Sequence, residues 1–123
     1  MSEAAELVRA FHEACGLPIF ERTAAMHRLR ARLTREEARE ANEALLSGSP
    51  AEIAKELADQ VYVAFGTALA LGIDLDAAVR AVHVSNMSKL VDGRPLMRPD
   101  GKVLKGPDYR KPDLSGCILD EPN

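Results

Sequence analysis

The chain of 123 residues has no tryptophan and only 4% aromatic residues, so its core must be assembled from aliphatic side chains rather than large rings. Its two cysteines, Cys15 and Cys117, lie far apart and outside any C-x-x-C pair. Neither a disulfide framework nor a zinc knuckle is indicated. The longest nearly apolar run, residues 61–73, spans 13 residues and is interrupted by Gly66, Thr67 and Gly72, whereas crossing a bilayer takes about 20. It reads as a buried helix. The opening residues, Met1 to Glu6, are acidic and lack the basic region and apolar stretch of a secretory signal. The expectation is a cytoplasmic chain with no membrane partner.

Glycine-rich phosphate loops are missing as well. There is no G-x-G-x-x-G and no G-x-S-x-G, and Gly93 to Lys102 departs from a Walker A loop in spacing, with Val103 in place of the required Ser or Thr. Nucleotide chemistry would then rest on metals and lysines. The histidines, His12, His27 and His83, are preceded three residues earlier by Arg9, Ala24 and Arg80. That excludes the Glu-x-x-His pairs of a di-iron carboxylate bundle, and each histidine is expected to pack or to face solvent.

What is abundant is alanine. All 19 lie between Ala4 and Ala81, and alanine is the best helix former because it loses no side-chain entropy. An all-α fold followed by a tail of another kind is predicted. A first helix is expected over 3–15, with Ser2 as cap and Gly16 as stop, and a second over about 24–46. The third runs from Pro50 to Leu71, with Ser49 as N-cap, Glu52 completing a capping box and Gly72 as the C-terminal stop. The fourth starts near Asp74 or Asp76 and runs to about Val91. Short connections suggest a four-helix bundle over 1–91. Residues 92–123, punctuated by proline and glycine, form a C-terminal loop and tail of the same domain, with room for one short hairpin.

Net charge is −3 and the isoelectric point about 5.6, which argues against binding a nucleic acid polymer. The average hides a division. Residues 1–88 carry 9 basic and 13 acidic side chains, residues 89–111 carry 7 basic and 3 acidic, and the last twelve carry three acids and no base. An acidic helical body and a basic loop suit a metal ion and a polyphosphate; two solvated faces of opposite sign fit the same counts.

The second helix supplies the first departure from a plain bundle. On a helical wheel Glu36, Glu37 and Glu40 share the face of Met26, Leu29, Leu33 and Ala44. A carboxylate buried without a partner costs several kcal/mol, so such a face calls for a counter-charge. The third helix adds Glu56 and Asp59, neighbours at i and i+3, on the edge of an apolar stripe through Ile53, Leu57, Val61, Ala64, Ala68 and Leu71. Packed antiparallel, the two helices can bring five carboxylates together, a set of oxygen ligands that favours Mg²⁺ or Mn²⁺. Alone, E-E-x-x-E reads first as a solvated face paired with Arg32, Arg35 or Arg39; Glu56-x-x-Asp59 and the coincidence with the apolar face turn the reading toward a metal cluster. A further alternative makes Thr34 and Glu37 a capping box that starts a new helix and diverts Glu37.

On the fourth helix Asn86 interrupts the stripe of Val79, Val82 and Leu90. A buried amide needs hydrogen-bond partners, from a neighbouring helix or from a ligand, and Lys89 follows three residues later. The loop contributes Lys102, Lys105 and Tyr109, the only aromatic residue after Phe65.

Glu36-Glu37-x-x-Glu40, then Glu56-Leu57-Ala58-Asp59 after fifteen intervening residues, resembles the E-E-x-x-E…E-x-x-D signature of the all-α nucleoside triphosphate pyrophosphohydrolases. That superfamily includes MazG-like proteins, dimeric dUTPases and phosphoribosyl-ATP pyrophosphohydrolases. Ser85-Asn86-Met87-Ser88-Lys89-Leu90, Gly101-Lys102, Lys105-Gly106 and Tyr109 resemble downstream elements of the MazG-like and dimeric dUTPase branch. The resemblance implies Mg²⁺-dependent hydrolysis of a nucleoside triphosphate to monophosphate and pyrophosphate, by a homo-oligomer, usually a dimer. It implies that Glu36, Glu40, Glu56 and Asp59 ligate metal, and that Glu37 bridges metal or acts as the catalytic general base. Asn86 would contact the nucleoside, and Lys89, Lys102, Lys105 and Tyr109 the phosphates. The favoured substrate is dUTP or a non-canonical deoxynucleotide, with phosphoribosyl-ATP as the alternative; a catalytically silent nucleotide-binding dimer is the rival from another class.

Overall fold

The computed structural model describes residues 1–122. Four helices dominate it: α1 (Glu3–Cys15), α2 (Ala24–Ser47), α3 (Pro50–Leu71) and α4 (Leu75–Met87). A two-stranded hairpin, β1 (Leu96–Met97) and β2 (Val103–Leu104), and a 3₁₀ turn over Ser115–Cys117 follow. The all-α expectation holds, with the sheet reduced to two antiparallel pairs, Leu96 with Leu104 and Met97 with Val103.

Local chemistry sets the helix starts and stops. Ser2 and Thr23 accept the amides of Ala5 and Met26 at 3.2 and 3.1 Å. Ser49 accepts the Glu52 amide at 3.3 Å ahead of Pro50 in the first turn, which satisfies donors the helix itself leaves free. Gly16 and Gly72 close α1 and α3 in the left-handed conformation that only glycine adopts at no steric cost. Thr34 starts no new helix. Its hydroxyl donates to the Arg30 carbonyl at 2.8 Å within an unbroken α2, so Glu37 stays on the continuous helix.

The chain forms two compact units, one of residues 1–74 with 119–122, the other Leu75–Ile118. In the first, α3 is the centre, with α1 and α2 packed on it. Arg30 near the start of α2 meets Val63 and Thr67 in the second half of α3, so the two helices run antiparallel. The buried apolar side chains of this unit carry no aromatic ring and most are small: Val8, Met26, Ala41, Ala44, Ala68 and Ala70. After residue 118 the chain returns to this unit, where the Leu119 amide bonds to the Gly72 carbonyl at 2.9 Å.

The apolar stripe expected to form the inner face of α3 lies inward at Ala68 but not at Leu57, Val61 and Ala64. Leu57 is 47% exposed and Val61 49% exposed, whereas the Glu56 side chain is 16% exposed. In its N-terminal half α3 presents its acids rather than its leucine stripe to α2.

In the second unit α4 ends at Met87 rather than near Val91. The Ser85 hydroxyl donates to the Arg110 carbonyl at 2.7 Å, the Ser88 hydroxyl donates to the Ser85 carbonyl at 2.6 Å, and the Arg110 amide donates to Ser88 Oγ at 2.9 Å. A carbonyl and an amide of the returning loop thus engage the two serines, and a tertiary contact sets the stop. Val91 and Arg94 then pair through a two-residue turn in which Asp92 and Gly93 both have positive φ, as a type I′ hairpin turn requires.

Candidate active site

Glu37 and Glu40 project from α2, and Glu56 and Asp59 from α3. Each places one carboxylate oxygen within 4.8 Å of the others, and all four residues are half-buried. Spacing explains the pairs, since i and i+3 share a helix face, and antiparallel packing sets the two pairs opposite each other. Glu36 is exposed and outside this group. The buried arc of α2 runs through Met26, Leu33, Glu37, Ala41 and Ala44, and at 3.6 residues per turn Glu36 sits about 80° from Met26 and Ala44.

Two oxygens in the group, Glu37 Oε2 and Glu56 Oε2, are buried with no hydrogen-bond partner. Buried polar atoms in folded proteins are nearly always paired, and an orphaned carboxylate oxygen among other carboxylates is the position a cation would fill. The donor set is all oxygen, which fits hard divalent cations. Burial, then the charges of Glu40, Asp59 and Glu56, hold the Glu37 carboxyl above its ordinary pKa, and Lys55 opposes them in part. Four carboxylates this close destabilise one another unless a cation intervenes.

Lys55 supplies part of that compensation and was not legible as a site residue. Its ammonium lies 2.8 Å from Asp59 Oδ2 and 3.2 Å from Glu56 Oε1; the hydrogen bonds to Asp59 and then Glu56 raise its pKa. The i, i+4 spacing of Lys55 and Asp59 was the available signal. Of the arginines weighed as solvated partners, Arg39 binds Glu43 at 2.9 Å and lies 3.9 Å from Glu40. Among the described residues no arginine pairs with Glu37.

Asn86, Lys89, Lys102, Lys105 and Tyr109 all belong to the second unit. Three of them come together there. The Gly106 amide donates to the Lys89 carbonyl at 3.0 Å, the Tyr109 amide donates to the Gly106 carbonyl at 3.2 Å, and the Lys105 ammonium lies 4.7 Å from the centre of the Tyr109 ring. Gly106 is required by this approach, because a Cβ there would fall 2.6 Å from the Lys89 carbonyl oxygen and 2.8 Å from Val91 Cγ2. Asn86 is exposed, its carbonyl accepting the Lys89 amide at 3.1 Å. Lys102 sits on the hairpin turn with its amide donating to Asp100 at 3.2 Å.

A helical unit that gathers E-x-x-E and E-x-x-D carboxylates from two antiparallel helices has the architecture of the all-α nucleotide pyrophosphohydrolases. The chain belongs to the phosphoribosyl-ATP pyrophosphohydrolase family, which it matches over residues 4–86. It is therefore a nucleotide pyrophosphohydrolase of the MazG-like superfamily, a hydrolase acting on phosphoric anhydride bonds. No curated protein matches the sequence. Among the described residues no helix is long and apolar enough to cross a membrane.

Proposed function

We propose that the protein hydrolyses the α–β anhydride of a nucleoside triphosphate, dUTP or a non-canonical deoxynucleotide being preferred, in a Mg²⁺-dependent reaction that Mn²⁺ can also support. Water adds across the bond: its oxygen joins the α-phosphorus, the P–O bond to the β-phosphate breaks, and pyrophosphate leaves. The observation that carries this reading is the group of four half-buried carboxylates with two buried oxygens left unbonded.

Glu40, Glu56 and Asp59 would hold the metal, with Glu37 shared between the metal and the attacking water. Glu36, exposed beside them, is not needed to complete the set. The bound ion would neutralise charge on the phosphates and lower the pKa of its water. A carboxylate beside the metal-bound water is the group that can accept its proton as general base. In the second unit Lys89, Lys105 and Tyr109, joined through Gly106, would bind phosphate oxygens together with Lys102, and Asn86 would contact the nucleoside. This basic segment lies beyond the residues that match the family, which end at 86. The family match itself favours phosphoribosyl-ATP as the second reading.

The enzyme would act as a cytoplasmic homodimer, with the exposed Leu57 and Val61 stripe of α3 covered by a second copy; apolar surface of this kind marks interaction sites.

Product analysis tests the reading. The protein is incubated with Mg²⁺ and with dUTP, dCTP, dTTP, ATP or phosphoribosyl-ATP, and the products are identified. Monophosphate and pyrophosphate from dUTP support the proposal. Turnover of phosphoribosyl-ATP alone establishes the second reading, orthophosphate shows that the wrong bond was assigned, and inertness toward every nucleotide overturns the catalytic reading.

A further inference from the structure

Arg30 is a partly buried cation with an unusual set of partners. Its Nε donates to Thr67 Oγ1 and its Nη2 to the main-chain carbonyl of Val63, each at 2.9 Å. Among the described residues no carboxylate lies within ion-pair distance of it. A guanidinium taken from water is normally met by a carboxylate. Here it is spent on a neighbouring helix, and burial lowers its pKa.

The packing makes room for that grip. A Cβ on Gly66 would fall 2.6 Å from Arg30 Nη2 and 3.1 Å from His12 Nε2. His12, 3% exposed, is held from the other side by Pro18, whose carbonyl lies 3.0 Å from its Nδ1. Side chains of α1 and α2 thus converge on one glycine of α3.

The location relates this point to the carboxylates. Arg30 precedes Glu37 by two helical turns, about 10 Å of axial rise, on the same inward arc of α2. Val63 and Thr67 follow Asp59 by one and two turns along α3. The carboxylates come in pairs from α2 and α3, so any axial slip between these helices separates one pair from the other, and one residue of slip is about 1.5 Å. Apart from Met26, the most deeply buried apolar side chains of α2 and α3 are alanines, Ala41, Ala44, Ala68 and Ala70, which offer little shape to oppose slip. A planar guanidinium bonded at two points, one of them the α3 backbone, constrains both rotation and translation.

We propose that Arg30 is a positioning residue for the metal centre: its two-point grip on Val63 and Thr67 sets the register of α2 against α3 at which the four carboxylates converge. This rests on the metal-binding reading above.

Calorimetric titration with Mn²⁺ alone, paired with thermal denaturation, tests it on wild type, Arg30→Met, Arg30→Lys and Thr67→Val. Residues supporting metal ligands typically change affinity 10–100-fold, and roughly a tenfold or greater rise in Kd is expected for Arg30→Met. Thr67→Val, which removes one of the two acceptors, should show a smaller rise with the fold intact. Arg30→Lys should not restore wild-type affinity, because an ammonium cannot make the fork. If Arg30→Met lowers the melting temperature while the folded protein binds Mn²⁺ as wild type does, Arg30 is only structural and the proposal fails. Should that variant not fold, an unchanged Kd in Thr67→Val overturns it equally. Full affinity in Arg30→Lys would mean that charge, not register, is what matters. Failure of the wild type to bind Mn²⁺ would instead defeat the metal reading itself.

Discussion

The Lys55 ammonium stands 2.8 Å from Asp59 Oδ2, one turn further along the same helix, and also 3.2 Å from Glu56 Oε1. A cation of the chain's own therefore sits on two of the four carboxylates that gather between α2 and α3. It offsets their repulsion and competes with any external cation for the same oxygens.

Replacing Lys55 by Met should separate these two effects. Without the ammonium the chelator-treated protein should melt lower, because the carboxylates lose their nearest counter-charge. Mn²⁺ should bind more tightly, by roughly two- to tenfold. Calorimetry and thermal denaturation on one preparation check both; weaker Mn²⁺ binding would mean that Lys55 supports the site instead of competing for it.

Glu37→Gln should stabilise the metal-free protein and slow turnover. In the folded state burial and the neighbouring acids raise the pKa of Glu37, so the folded chain binds that proton more tightly than the unfolded chain does. The associated stability is present below the ordinary carboxylate range and is lost as pH rises through the raised value. A neutral glutamine avoids this loss. The melting temperature of the variant should exceed that of wild type at neutral pH, and the difference should close as the solution is acidified. Pyrophosphate release should fall by roughly 10²-fold or more, the usual contribution of a general base.

Gly106→Ala probes the basic segment. The new methyl group would meet the Lys89 carbonyl oxygen at 2.6 Å and Val91 Cγ2 at 2.8 Å, and backbone cannot move aside as a flexible side chain can. Overpacking of this kind costs about 1–3 kcal/mol. Steady-state kinetics should show the KM for nucleotide rising more than kcat falls, while binding of Mn²⁺ alone stays within about twofold of wild type, because the carboxylates belong to the other unit.

Val61→Lys places a charge in the exposed stripe of α3, one turn from Leu57. If a second copy covers this stripe, sedimentation should show a dimer for wild type and a monomer for the variant at equal concentration. A dimer in both would put the subunit contact elsewhere.

The boundaries of α1, α2 and α3 were legible because caps are local. Ser49, Pro50 and Glu52 start α3 within four residues, Gly72 ends it, and no distant group is needed to explain either. Both acidic pairs were legible too, since i and i+3 spacing puts two carboxylates on one face wherever the helix goes. The exposure of Glu36 was not legible, because it lies about 80° from Met26 and Ala44 on a wheel whose covered arc passes through Met26, Leu33, Ala41 and Ala44. Lys55 and Arg30 carried weak signals, an i+4 match to Asp59 and a two-turn offset from Glu37. In an arginine-rich stretch such offsets recur by chance.

The stop of α4 was not legible, because the Ser85 and Ser88 hydroxyls that end it are met by the backbone of Arg110, more than twenty residues away. Taken by itself, the sequence determined an alanine-built, all-α chain with two acidic pairs at helical spacing and a separate basic segment, because propensity, capping and periodicity act within a few turns. Only the tertiary structure decided that α3 turns Glu56 and Asp59 toward α2 and leaves Leu57 and Val61 exposed. Both faces satisfy the helix equally well; the choice between them depends on what packs opposite, and that is α2 with Arg30, Glu37 and Glu40.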